Sequence, residues 1–72
     1  MAQSRSEVIS ARAIRLLAEK RESLGLSMKV VADRAGVSHT TVGRIERGEI
    51  NPTLDMLLRI SGAIQVDLWP FL

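Results

Sequence analysis

The amino-acid sequence predicts an all-α protein, a compact bundle of four to five short helices forming one domain over residues 1–72. Three observations carry that expectation. Apolar residues recur at the three- and four-residue spacing of amphipathic helices from end to end, and no segment alternates as a strand would. Serine or threonine stands ahead of these segments and glycine closes most of them. A chain of 72 residues is one domain at most, and at this size roughly 60% of the unfolded surface is buried, so the core has to be compact.

The elements follow in order. Ser6, with Glu7 behind it, is placed to cap a first helix that runs to about Ser23, with Val8, Ile9, Ala13, Ile14, Leu17 and Ala18 on its apolar side. Gly25 ends it. Ser27 caps a second helix, Met28 to Ala35, which Gly36 stops. Ser38 caps a third, His39 to Arg47, with Gly48 at its end. Thr53, after Asn51-Pro52, caps a fourth to about Ile64, with Leu54, Leu57, Leu58 and Ile64 facing inward. Asp67 can start a last turn over the segment LWPFL.

Composition removes several classes of function. With 46% hydrophobic and 25% charged residues, the chain lies in the ordinary globular range. It has no cysteine and one histidine, which excludes disulfides and thiolate metal sites and leaves no metal or cofactor to expect. No nucleophile stands at a sensible spacing from a base, and no glycine-rich loop could cradle a phosphate, so an enzyme is not expected. No apolar run approaches the ~18 residues of a membrane span, and MAQSRSEVIS lacks the apolar core of a signal peptide. The expectation is a cytoplasmic protein with no membrane partner. A net charge of +2 and an isoelectric point near 9.9 permit a nucleic-acid partner without demanding one.

The third segment carries the chemistry. Turned at about 100° per residue, Val42 and Ile45 mark its buried side. The opposite side is centred on Thr40, Gly43, Arg44 and Arg47, flanked by His39 and Thr41, and that face holds no acid of its own. Glu46 falls toward the core, where a carboxylate is unwelcome unless a cation pairs with it. Two short helices joined by the turn GVS form a helix-turn-helix pattern over residues 28–47, whose second helix lies in the major groove of DNA. Ala32 is small where the two helices approach, and Val31, Val37, Val42 and Ile45 are spaced to hold them together. Gly43 costs roughly 0.8 to 1 kcal/mol relative to alanine in a helix, so close approach of a backbone or a phosphate would explain it.

The stretch Leu26 to Ile64, "LSMKVVADRAGVSHTTVGRIERGEINPTLDMLLRISGAI", resembles the Cro and phage-repressor (Xre-type) helix-turn-helix family. The GVS turn, IERG and the following NPTLDML carry the likeness. The resemblance implies a lambda-repressor-like DNA-binding fold and a transcriptional regulator, usually dimeric, with double-stranded DNA as its partner. By position it implies base contacts from His39, Thr40, Gly43 and Arg44. Phosphate contacts fall on Ser27, Thr41 and Arg47, and the residue pattern adds Lys29 beside them. An ion pair between first and third helices falls on Arg21 and Glu46. The sequence departs from the family at Met28, usually glutamine and a helper in holding a phosphate, and at Val30, usually polar.

Each of these residues also has a plainer reading. Arg44, Arg47, Lys29 and Thr41 can be solvated surface, Ser27 only a cap, and His39 only the residue after one. The apolar tail is a separate matter. Trp69 and Phe71, the only aromatics, lie beside Leu68 and Leu72 and make the end more apolar than a surface terminus normally is, although it could fold back over Leu57 and Ile64. The expectation is a homodimer joined over residues 64–72, with Ile64, Val66, Trp69 and Phe71 in contact, reading a palindromic operator as a repressor or controller. The other reading is an antitoxin-type module, in which Val30 and LWPFL serve a protein partner such as a toxin.

Overall fold

The computed structural model describes residues 5–66, with side chains from residue 11 onward. Its described residues form four helices: α1 (Arg5–Ser23), α2 (Met28–Ala35), α3 (His39–Glu46) and α4 (Leu54–Ala63). No strand occurs among them. Arg5 is already helical, so Ser6 does not stand ahead of α1 as a cap would. The expected last turn beyond Asp67 lies outside the described residues.

Local chemistry sets the other boundaries. Ser27, Ser38 and Thr53 hold extended backbone, and each side-chain hydroxyl accepts the N–H three residues on, from Val30, Thr41 and Met56, at 3.1 Å each. Each bond satisfies one of the donors that a helix start leaves unpaired. The C-termini share a second device, a left-handed residue whose successor donates back across five positions: Leu26 N to Arg21 O (3.1 Å), Val37 N to Ala32 O (3.1 Å), Glu49 N to Arg44 O (2.9 Å) and Val66 N to Ser61 O (2.9 Å). After α2 the left-handed residue is Gly36 at φ 72°, where a side chain would be strained. After α4 it is Gln65, at φ 58° and with a side chain.

The core joins one face of each helix. Ala13 and Leu17 of α1, Val31 and Ala35 of α2, Ile45 of α3 and Leu57, Ile60 and Ile64 of α4 form a single buried cluster. Ala32 and Val42 are buried as well. α2 packs on both α3 and α4, and α1 closes the bundle against the same two. Val37 and Ile50, on the turns that flank α3, lean on this cluster and anchor its two ends.

Two inward assignments change. Leu54 is 54% exposed, because the inward face of α4 is set by Leu57, Ile60, Ser61 and Ile64, and Leu54 lies about 70° away from its centre. Ile60, absent from the expected face, is buried there. Ile64 is 2% exposed. Its side chain is spent on the core of one chain and is not at the surface for a second copy, which removes it from the expected dimer contacts.

Gln65 keeps a strained backbone that glycine would adopt freely, at a cost of roughly 1 to 2 kcal/mol, part of which glycine returns through the entropy of its unfolded state. Gln65→Gly is therefore expected to stabilise the fold by about 0.5 kcal/mol. A urea titration measures it as a raised midpoint at unchanged slope, and a lowered midpoint would contradict the assignment.

Candidate nucleic-acid interface

Helix α3 has only eight residues, too few to hold a helix in water without tertiary support. Part of that support is one ion pair. Arg21 of α1 donates from Nε to Glu46 Oε2 at 2.7 Å and from Nη2 to Oε1 at 2.9 Å. Its third nitrogen, Nη1, donates to the Leu26 carbonyl at 2.9 Å, in the turn that leads to α2. The two side chains are 11% and 15% exposed. The bond to Glu46 raises the Arg21 pKa above its ordinary value, against burial, which acts to lower it. Paired forks of this kind are short and directional, so the pair sets where the last turn of α3 lies.

Packing and pairing together turn the other edge of α3 outward. His39, Thr40, Arg44 and Arg47 are exposed, and Thr41 is half-buried. Among the described residues Arg44 makes no ion pair, so its guanidinium is available to a ligand. Ser27 and Thr41 lie at the two helix starts. The Ser27 oxygen accepts from Val30 N, which leaves its hydroxyl hydrogen to donate outward. Thr41 Oγ1 and Ser38 Oγ share a 2.6 Å hydrogen bond.

Gly43 is placed differently from the expectation. It is buried, and a β-carbon built on it would lie 3.0 Å from Arg47 Nη1 and 3.6 Å from Met28 Sδ. The nearest atoms around that position are those of side chains. The guanidinium of Arg47 and the thioether of Met28 lie over it, and the first is the far end of a flexible side chain that can swing away.

The face also carries carboxylates, although α3 itself brings none to it. Asp33 of α2 accepts from His39 Nε2 at 2.9 Å through Oδ1 and from Lys29 Nζ at 3.3 Å through Oδ2. Those two bonds, the one from His39 first, hold the Asp33 carboxyl below the usual aspartate range. Glu49 accepts from Arg47 Nε at 2.7 Å. Lys29 and Asp33 are spaced i, i+4 on a helix, so that pair was legible in the sequence. The bond from Asp33 to His39 crosses between two helices and was not.

The comparisons bear on this geometry. A family model described as Helix-turn-helix matches residues 17–68, well over half of the chain. The chain belongs to the Cro/Xre-type helix-turn-helix family. This helix-turn-helix chain is 38% identical over 47 residues to an uncharacterized HTH-type transcriptional regulator of Haemophilus influenzae, covering 65% of the chain and 48% of that relative. It is likewise 38% identical over 47 residues to one from Mycobacterium tuberculosis, covering 65% of the chain and 34% of the relative. A third such regulator, from Methanothermobacter thermautotrophicus, is 37% identical over 49 residues, covering 68% of the chain and 71% of the relative. The chain thus spans about half or less of the length of the first two. No solved structure matches it. Among the described residues no helix is long and apolar enough to cross a membrane, and no cluster of His, Asp and Glu could hold a metal ion.

Removing one partner of a buried pair costs roughly 3 to 5 kcal/mol, and the residual exposure of Arg21 and Glu46 puts this pair at the lower end, about 3 kcal/mol. Glu46→Ala is expected to cost that much in thermal or chemical unfolding. Glu49→Ala, which removes an exposed pair, should cost less than about 0.5 kcal/mol. Equal effects of the two substitutions would refute the structural role of Glu46.

Proposed function

We propose that the protein is a sequence-specific DNA-binding transcriptional regulator that inserts α3 into the major groove. The observation that carries the reading is the outward edge of α3, where Arg44 stands unpaired among the described residues between exposed Thr40 and Arg47. Family membership and relatives named as HTH-type transcriptional regulators support it. In this reading Arg44, Thr40 and His39 read base edges, because an arginine can bond guanine O6 and N7 at once. Gly43 leaves room for the groove once the Arg47 guanidinium has turned to a phosphate. Ser27, Lys29, Thr41 and Arg47 hold the backbone and set the register without reading sequence. Met28 lacks the polar group that family members use on a phosphate, and Ser27 and Lys29 take over that anchoring.

The regulator acts as a homodimer on a palindromic operator, as a repressor or controller. A palindrome is read by two recognition helices about 34 Å apart, and a symmetric pair sets that distance. The contacts run through the end of α4 and the tail, with Val66 half-buried in one chain and Trp69 and Phe71 outside the described residues. The antitoxin-type alternative draws on Val30, which is 36% exposed, and on the segment LWPFL outside the described residues. It expects the protein to bind DNA weakly until its partner is added.

Selection of binding sites from random DNA tests the leading reading. The intact chain alone should enrich a palindrome, and Arg44→Ala should lose about 1 to 3 kcal/mol of discrimination at one base pair of each half-site. Unaltered preference at every pair would remove Arg44 from base reading. Sedimentation of the intact chain is expected to give a dimer at micromolar concentration. A monomer that occupies the two half-sites independently would contradict the dimer.

A further inference from the structure

The DNA-binding reading leaves unused the direction in which the His39 ring is held. His39 is the first residue of α3, and its ring nitrogen Nε2 lies 2.9 Å from Asp33 Oδ1 on α2. An ionised carboxylate only accepts, so the hydrogen of that bond belongs to Nε2. No described residue bonds Nδ1, and the side chain is half-exposed. The ring is therefore held with one nitrogen turned to α2 and the other left over.

A neutral imidazole protonated at Nε2 offers Nδ1 as an acceptor, whereas an imidazolium offers Nδ1–H as a donor. The major groove distinguishes the two. Adenine N6 and cytosine N4 present amino hydrogens to an acceptor, and guanine O6 and N7 present lone pairs to a donor.

We propose that Asp33 is a positioning residue for base reading: by holding Nε2 it presents Nδ1 to the DNA, so that the base preferred opposite His39 changes with the proton on the ring. The inference rests on the reading of α3 as the DNA-contacting helix. With the ring neutral the preferred base carries an amino group, and with the ring protonated the preference moves to a base that presents lone pairs, guanine foremost because O6 and N7 both accept. The Asp33 carboxyl, held low by His39 and Lys29, remains ionised across the interval in which histidines titrate. Among the described residues the charged groups that face the ring are Asp33 and, across the same carboxylate, Lys29, both on α2. On its own helix the next charge along the exposed side is Arg44, and neither α1 nor α4 places a charge within bonding distance of the ring.

The experiment takes the site that the wild-type chain selects from random DNA and finds the base pair at which His39→Ala relaxes preference. That pair is then varied through all four bases at about pH 5.5 and about pH 8, at fixed salt. The wild-type chain should shift from an amino-bearing base to guanine by on the order of tenfold in relative affinity. Asp33→Ala lets the neutral ring turn and offer either nitrogen, so preference at the higher pH should fall to within roughly threefold. Its affinity should also rise on every sequence alike, because a negative charge has left the face. Asp33 is exposed, and an unchanged melting midpoint confirms that the variant folds. The proposal is overturned by a uniform gain in affinity with wild-type base preference at both pH values, by wild-type preference that ignores pH, or by a His39→Ala variant that relaxes no pair. A wild-type chain that enriches no site at all removes the DNA reading itself, and is told apart from those outcomes because each of them begins from an enriched site.

Discussion

The position of α3 depends on Arg21 more than on any other polar side chain. One guanidinium joins three parts of the chain: it is rooted in the last turn of α1, bonds the Leu26 carbonyl in the turn before α2, and grips both oxygens of Glu46 at the end of α3. Buried charge is expensive, and a pair in this setting is tolerated only when geometry is good and the remaining hydrogen-bond capacity is filled. Here the fork matches the carboxylate and the third nitrogen has the carbonyl. No buried side-chain polar atom is left without a partner among the described residues. Because the pair is directional where apolar packing is not, it converts a loosely specified contact between α1 and α3 into a defined orientation.

The remaining architecture serves the same end by local means. Helices of eight and ten residues are marginal in isolation, since each has to overcome a costly nucleus with few internal bonds. Hydroxyl caps at three helix starts and left-handed closures at the helix ends satisfy part of the backbone that short helices leave bare. Val37 and Ile50 then tie the turns on either side of α3 to the common core. Helix α3 is held at both ends, and on its outward edge the side chains of Arg47 and Met28 cover Gly43.

That outward edge is more balanced in charge than α3 alone implies. His39 and Lys29 share Asp33, and Arg47 holds Glu49, so among the described cations on that edge Arg44 alone has no acid. Exposed pairs such as Lys29 with Asp33 and Arg47 with Glu49 are weak, and those two cations are easily exchanged onto a phosphate. On the proposed reading the pairs lower the positive potential that any DNA sequence would feel, and so disfavour indiscriminate binding more than binding at a specific site. A net charge of only +2 fits that economy.

The sequence by itself determined the number and order of the described helices, the caps at Ser27, Ser38 and Thr53, the glycine stops and the family, because each is written in neighbouring residues or in spacing along one helix. It also required Glu46, facing inward, to find a cation, and the family resemblance named Arg21. It misjudged Leu54 and left out Ile60, since periodicity marks an apolar side only broadly and cannot say how much of it a neighbouring helix covers. The tertiary structure alone decided what lies over Gly43, that Leu26 completes the Arg21 site, and that Asp33 reaches across to His39. Those contacts join groups whose separation is set by how α1, α2 and α3 pack, and no local pattern in the chain encodes that distance.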